Sequence, residues 1–271
     1  MKTRRIITAA VTVLLAAMSA AAQNVLIIGN SYTYTNDLPS VLESISEDMD
    51  RAPRIQSFAR GGYSMQDHLK DSLCLKYVQK GGYDVVVLQD QSVLPILVGT
   101  TEGIPVLSAM VEMVNMVRQY NPDARVIIEI TWGRKTGHDI IPRYFQKDKY
   151  ASCFATYESM QDALSRAIRN EATLLKTEIA DVGTPWSKVK NGTSGIELYN
   201  MDGSHPSYAG TYLAASVLYT AIYRDKIRAD VFSGRLTNAD AKVIKKAVWA
   251  CRKSAVKKPK AKVRKTRKVR Y

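Results

Sequence analysis

The chain has 271 residues, 46% apolar and 24% charged, a balance that excludes a disordered or collagen-like polymer and gives one large domain enough apolar side chains for a core. Its formal charge of +14 suggests a nucleic-acid binder until the charges are located: three are Lys2, Arg4 and Arg5, eleven lie in residues 252–271, and residues 23–251 are formally neutral. Basicity belongs to the ends, so no specific nucleic-acid surface is expected on the folded part.

Residues 1–22 open with those three cations, continue through an apolar stretch at 6–17 and close on "SAAA" before Gln23. This is the pattern of a secretory signal, with cleavage expected after Ala22. The apolar stretch is shorter than the roughly 18–20 residues that span a bilayer, and no later segment is long and apolar enough to do so. The mature chain is therefore expected outside the cytoplasm, in the periplasm, at the cell surface or secreted.

From there the chain alternates. Five apolar, β-branched segments, residues 25–28, 54–58, 85–88, 126–130 and 178–182, read as strands buried on both faces. Helical patterns separate them at 38–50, 65–80, 105–120 and 154–176. The β-α-β alternation predicts an α/β fold, a five-stranded parallel sheet with helices on both faces. The polar, glycine-containing stretches "GNSYTYTND", "ARGGYS", "QDQSVLP", "TWGRKTG" and "MDGSHPS" then fall at or beyond the carboxyl ends of the strands. In an open parallel sheet that rim is where ligands bind.

The first of these loops, in "NVLIIGNSYTYTNDLP", holds Ser31, and three roles compete for it. Asn30 or Ser31 suits a helix N-cap. The alternating hydroxyls of Ser31, Thr33 and Thr35 weakly resemble the flavin mononucleotide loop of flavodoxins, although Tyr34 stands where a phosphate cradle needs glycine. A nucleophilic Ser31 needs an imidazole to take its proton and a carboxylate to orient that imidazole. Of the three histidines, His68 falls in a helical stretch where a half-exposed surface role is expected, and His138 has only Asp139 beside it. His205, in "MDGSHPSYAG", follows Asp202 by three residues on a turn that Pro206 closes at the start of a helix. That offset allows the Asp202 carboxylate to meet one imidazole nitrogen while the other faces outward.

The blocks "GNS" (Gly29 to Ser31), "GGYS" (Gly61 to Ser64) and "DGSH" (Asp202 to His205) stand in the order and spacing of the SGNH or GDSL hydrolases, which the chain resembles over about residues 24–224. The resemblance implies a flavodoxin-like three-layer α/β/α sandwich and a serine esterase with Ser31 as nucleophile, His205 as base and Asp202 as its orienting acid. It implies an oxyanion hole from the amides of Ser31 and Gly62 and from a third-block side chain. There the family usually has Gly-x-Asn-Asp and this chain reads "LQDQS"; the ungapped alignment selects Gln91, with Gln89 as second choice. No metal or cofactor is implied. Family analogy and export point to an acylated carbohydrate, or another small ester, as substrate, with Tyr63 and Trp132 as residues that could stack on a sugar ring or equally serve in packing. A glycan-binding module on the same scaffold is the alternative from another class.

The final block, "RKSAVKKPKAKVRKTRKVRY", has too few apolar residues to join a core and is expected to be a disordered tail, residues 252–271. Two readings stay open for it: a solvated extension without a ligand, or a contact for anionic envelope polymers. Cys74, Cys153 and Cys251 are isolated, with no zinc-ligand spacing, and allow one disulfide by three pairings.

Overall fold

The computed structural model describes residues 23–137 and 147–252. Its strands are β1 Asn24–Gly29, β2 Arg54–Ala59, β3 Val85–Leu88, β4 Arg125–Ile130 and β5 Glu178–Asp181, the five apolar segments of the sequence to within a residue. They pair in parallel, in the order β2-β1-β3-β4-β5. Because side chains alternate along a strand, each strand feeds two cores. Val25, Ile27, Val85, Val87, Ile127 and Ala180 pack on one side, and Leu26, Ile28, Val86, Leu88, Val126, Ile128 and Ile130 on the other.

Among the described residues ten α-helices accompany the sheet. In chain order they are α1 Ser31–Tyr34, α2 Leu38–Glu47, α3 Met65–His68, α4 Ser72–Gln79, α5 Ile104–Tyr120, α6 Lys147–Phe154, α7 Tyr157–Leu175, α8 Gly183–Lys190, α9 Tyr208–Tyr223 and α10 Asn238–Cys251. Residues from α2, α8, α9 and α10 fill the first core, and residues from α3, α4, α5 and α7 the second. The result is the flavodoxin-like three-layer α/β/α sandwich. Arg125 staples its far end: the guanidinium donates to both Glu178 carboxylate oxygens at 2.8 and 2.7 Å and to the carbonyls of Ala221 and Ile222. A bidentate charged pair of this kind fixes β4 and β5 against the end of α9.

Three local expectations are corrected. β2 is an edge strand, with Arg54 and Ser57 exposed, because only β1 pairs with it. The single helix expected over 65–80 is two, because Asp71 leaves helical geometry and accepts the N–H groups of Leu73 and Cys74 as the cap of α4. Pro206 precedes rather than opens α9, whose cap is Ser207, accepting from the Gly210 N–H.

Residues 1–22 and 253–271 lie outside the described residues, and with them the expected export signal and nearly all of the expected basic tail. Arg252 is described: it ends α10 with its guanidinium 3.7 Å from the Trp249 ring centroid and bonded to the Trp249 carbonyl, so it belongs to the folded part. Among the described residues no helix is long and apolar enough to cross a membrane. Cys74 and Cys153 are free thiols.

The strand order puts the reversal of connection between β1 and β3, where neighbouring loops diverge and open a crevice at the carboxyl edge.

Candidate active site

The loop leaving β1 builds the first wall of that crevice. A Cβ on Gly29 would lie 2.1 Å from Thr33 Oγ1 and 2.7 Å from Gln89 Oε1, so only glycine lets the chain turn here. Asn30 caps α1, its Oδ1 accepting the Tyr32 N–H at 3.2 Å. The capping role thus falls to Asn30 and leaves the Ser31 hydroxyl free for other work. The phosphate-cradle reading fails at Thr33, which is 2% exposed and donates inward to Gln89 Oε1 at 3.1 Å.

The loop before α9 brings the second wall. Asp202 Oδ1 accepts the backbone N–H groups of Ser204 and His205, both at 3.0 Å, and Oδ2 lies 2.5 Å from His205 Nδ1. His205 Nε2 lies 2.9 Å from Ser31 Oγ. With Nδ1–H donating to the carboxylate, Nε2 keeps its lone pair toward the serine hydroxyl. Partial burial raises the Asp202 carboxyl, but the hydrogen bonds from the His205 ring and from the Ser204 and His205 amides outweigh it and hold the group below the usual carboxylate range. Asp202 is thus ionised at neutral pH. The three residues chosen from sequence do converge.

An aromatic column stands behind this loop. Tyr32 stacks on Trp132 at 4.5 Å and Trp132 on Trp186 at 4.1 Å, while Tyr32 meets the His205 ring edge-on at 5.7 Å. Trp132 Nε1 donates to the Ser204 carbonyl at 3.0 Å, and the Tyr32 and Ser204 hydroxyls lie 2.8 Å apart. Trp132 is fully buried, so sugar stacking is ruled out for it and the packing reading stands: it braces the turn that carries His205. Tyr63 is half-buried, packs edge-on against His68 at 5.2 Å and borders a surface groove with Asp67, Lys70, Asp71 and Ser72.

The candidate oxyanion donors lie on the loops that follow β1, β2 and β3. Gly62 is exposed at φ +74°, the left-handed region that favours glycine, in a turn closed by Tyr63 N–H to the Arg60 carbonyl. Among the described residues neither its N–H nor that of Ser31 has an acceptor. The two glutamines separate clearly. Gln91 is half-exposed, its Oε1 accepts the N–H groups of Val93 and Leu94 at 2.7 and 3.1 Å, and its Nε2 donates to no described residue. Gln89 is fully buried, accepts from Asn30 N–H and the Thr33 hydroxyl, and donates Nε2 to the Asp90 carbonyl. Gln89 is enclosed beneath the serine loop and faces no open site, so the geometry favours the first choice, Gln91, over the second.

No family model and no curated protein matches this sequence. Solved structures do. A candidate SGNH hydrolase of Slackia heliotrinireducens is 26% identical, with a TM-score of 0.57 over 74% of this chain and 100% of that one. The chain is a relative of the SGNH/GDSL hydrolases. A DUF4886 family protein of Bacteroides uniformis, 17% identical, shares the fold at a TM-score of 0.69 over 85% of this chain and 95% of that one. So does a protein of Parabacteroides merdae described as a GDSL-like lipase, 14% identical, at 0.50 over 74% and 96%.

In this SGNH relative His68, of the remaining histidines, takes no part in the relay on Ser31. His138 lies outside the described residues. His68 is fully buried rather than half-exposed as expected, with Nε2 3.0 Å from the Gly29 carbonyl. A carbonyl only accepts, so Nε2 carries the proton and Nδ1 is left buried without a partner; burial lowers its basicity. Beyond the capping role of Asn30, sequence reasoning missed what Asn30, Tyr32, Asp90 and Ser204 do at the site. Asn30 Nδ2 reaches the Tyr63 carbonyl at 3.1 Å and the Asp90 carbonyl at 3.3 Å, bonds between loops that no local pattern announces.

Proposed function

We propose that this chain is an exported serine esterase that removes O-acyl groups, O-acetyl foremost, from carbohydrate. The observation that carries the reading is the continuous relay from Ser31 Oγ through His205 to Asp202, at 2.9 and 2.5 Å. As an ester carbonyl approaches, Ser31 Oγ attacks its carbon while His205 Nε2 takes the serine proton. The carbonyl oxygen becomes an oxyanion facing the N–H groups of Ser31 and Gly62 and the Gln91 amide. His205 then gives its proton to the departing sugar alkoxide, leaving an acyl-serine. Water, deprotonated by the same imidazole, hydrolyses that intermediate, and Asp202 keeps the imidazolium in place at both steps.

A surface groove of about 400 Å³ lined by Tyr63, Asp67, Lys70, Asp71 and Ser72 suits a hydroxylated substrate better than a long acyl chain, Tyr63 offering an aromatic surface and the others polar ones. Export rests on residues 1–22, and a contact between the tail and anionic envelope polymers rests on its eleven cations. The test is acyl release from nitrophenyl acetate, butyrate and octanoate and from an acetylated polysaccharide. Ser31-dependent turnover that favours acetyl and the polysaccharide supports the reading; absent turnover with glycan retained on an array supports a binding module instead.

A further inference from the structure

The three loops that carry Ser31, Gly62 and Gln91 leave three different strands, and the oxyanion donors proposed above converge only if those loops keep a common register. Asp90 is bonded to all of them. Its Oδ1 accepts the Met65 N–H at 2.9 Å, three residues beyond Gly62, and the Gln91 N–H at 2.7 Å, while its carbonyl accepts Asn30 Nδ2 at 3.3 Å from the residue before Ser31. The Asn30 amide continues to the Tyr63 carbonyl at 3.1 Å. Asp90 itself is 6% exposed.

Building on the esterase reading, we propose that Asp90 is a positioning residue of the reaction: its buried carboxylate ties the Gly62 loop to the Gln91 loop, and its backbone carbonyl meets Asn30 of the Ser31 loop, so that the donors of all three meet one oxyanion. A buried carboxylate is a costly choice for a strut. Desolvation and the charge of Asp67 push the Asp90 carboxyl up to about 6, against the two backbone N–H groups that favour its charge. Glu171, also buried and pushed up to about 8, faces it from α7. A side chain kept there against desolvation and like charge has its function in the two N–H groups it holds. Third-block alignment places Asp90 at the variable position, which is why sequence analysis passes over it.

The experiment compares Asp90→Ala and Asp90→Asn with the parent full-length chain. The readouts are nitrophenyl acetate kinetics, melting temperature, and hydrogen exchange at the Met65 and Gln91 amides. Asn keeps an acceptor at the Oδ1 position and Ala keeps none. The expected result for Ala is a kcat lower by on the order of 10²-fold with KM within about threefold, as a displacement of about 1 Å in a catalytic group produces. Exchange at both amides should accelerate. Asn should restore kcat to within about tenfold of the parent and restore protection. A folded Ala variant with parental kcat, or Ala and Asn equally impaired, overturns the proposal. If Ala does not fold, the parent decides: unprotected Met65 and Gln91 amides in the folded protein overturn the clamp, and protected ones, with kcat kept in Asn, uphold it. A parent chain without turnover defeats the esterase reading rather than the clamp, which the exchange data still judge.

Discussion

Gln89→Ala and Gln91→Ala should fail in opposite ways. Gln89 is buried and makes three hydrogen bonds, to Asn30 N–H, the Thr33 hydroxyl and the Asp90 carbonyl. Removing it leaves the buried Asn30 N–H without an acceptor, at about 1–3 kcal/mol, and opens a cavity that adds on the order of 1–2 kcal/mol. A loss of about 2–5 kcal/mol in a domain of this size lowers Tm by on the order of 5–15 °C. Gln91 is half-exposed and at the rim. Its loss should cost less than about 1.5 kcal/mol, since solvent reaches the Val93 and Leu94 N–H groups it leaves. As an oxyanion donor, however, its loss should lower kcat by roughly 10² to 10³ with KM little changed. Thermal melts and steady-state kinetics on nitrophenyl acetate, taken on the same preparations, separate the two. A Gln91→Ala variant with parental kcat beside a stable, slow Gln89→Ala variant would refute the assignment.

Other expected outcomes follow from the same geometry. Asp202→Asn should lower kcat by on the order of 10³ to 10⁴ by disfavouring the productive tautomer, with little change in melting because the carboxylate is 47% exposed. Combining Ser31→Ala with His205→Ala should cost little more than either alone, read by single-turnover kinetics. Glu129 is 3% exposed on β4, and burial pushes its carboxyl from the ordinary 4.5 to about 8. Because the folded value is raised, its proton stabilises the fold below about pH 4.5, and that contribution is lost as pH rises toward 8. Glu129→Gln should thus raise stability at pH 8 by on the order of 3–5 kcal/mol and leave it unchanged at pH 4, measured by urea unfolding at both. Trp132→Ala should destabilise by about 3–5 kcal/mol and, through Ser204, slow turnover without weakening glycan retention.

Much of the fold is legible because buried parallel strands announce themselves as β-branched runs, and all five were readable within a residue. The helices are less so where local and tertiary signals disagree. Asp71 interrupts an apolar spacing that otherwise predicts one helix over 65–80, since its capping bonds to Leu73 and Cys74 outweigh the pattern. Pro185 in the first turn of α8 disguises a helix as a turn. Ala241, Ile244, Ala247 and Val248 of α10 carry a helical spacing as clear as any, and a reading led by strands overlooks it.

At the site, Ser31, Asp202 and His205 are readable because the chemistry needs those residue types and a three-residue offset on a turn fixes two of them. Burial is not readable from a loop position. Trp132 and His68 are fully buried because packing across the sheet edge closes over them. Alternation also misleads after β3, which ends at Leu88. Gln89 goes beneath the Asn30 loop while Gln91 turns back onto Val93 and Leu94, so the two amides do not share a face as an extended strand would require.

A serine-directed fluorophosphonate, read by mass spectrometry of the digested protein alongside residual turnover, addresses the central claim most directly. The phosphorus should be found on the peptide carrying Ser31, with activity lost in proportion to labelling, while Ser31→Ala takes up no label. Full turnover in Ser31→Ala, or label on another residue in step with the loss of activity, would contradict the account.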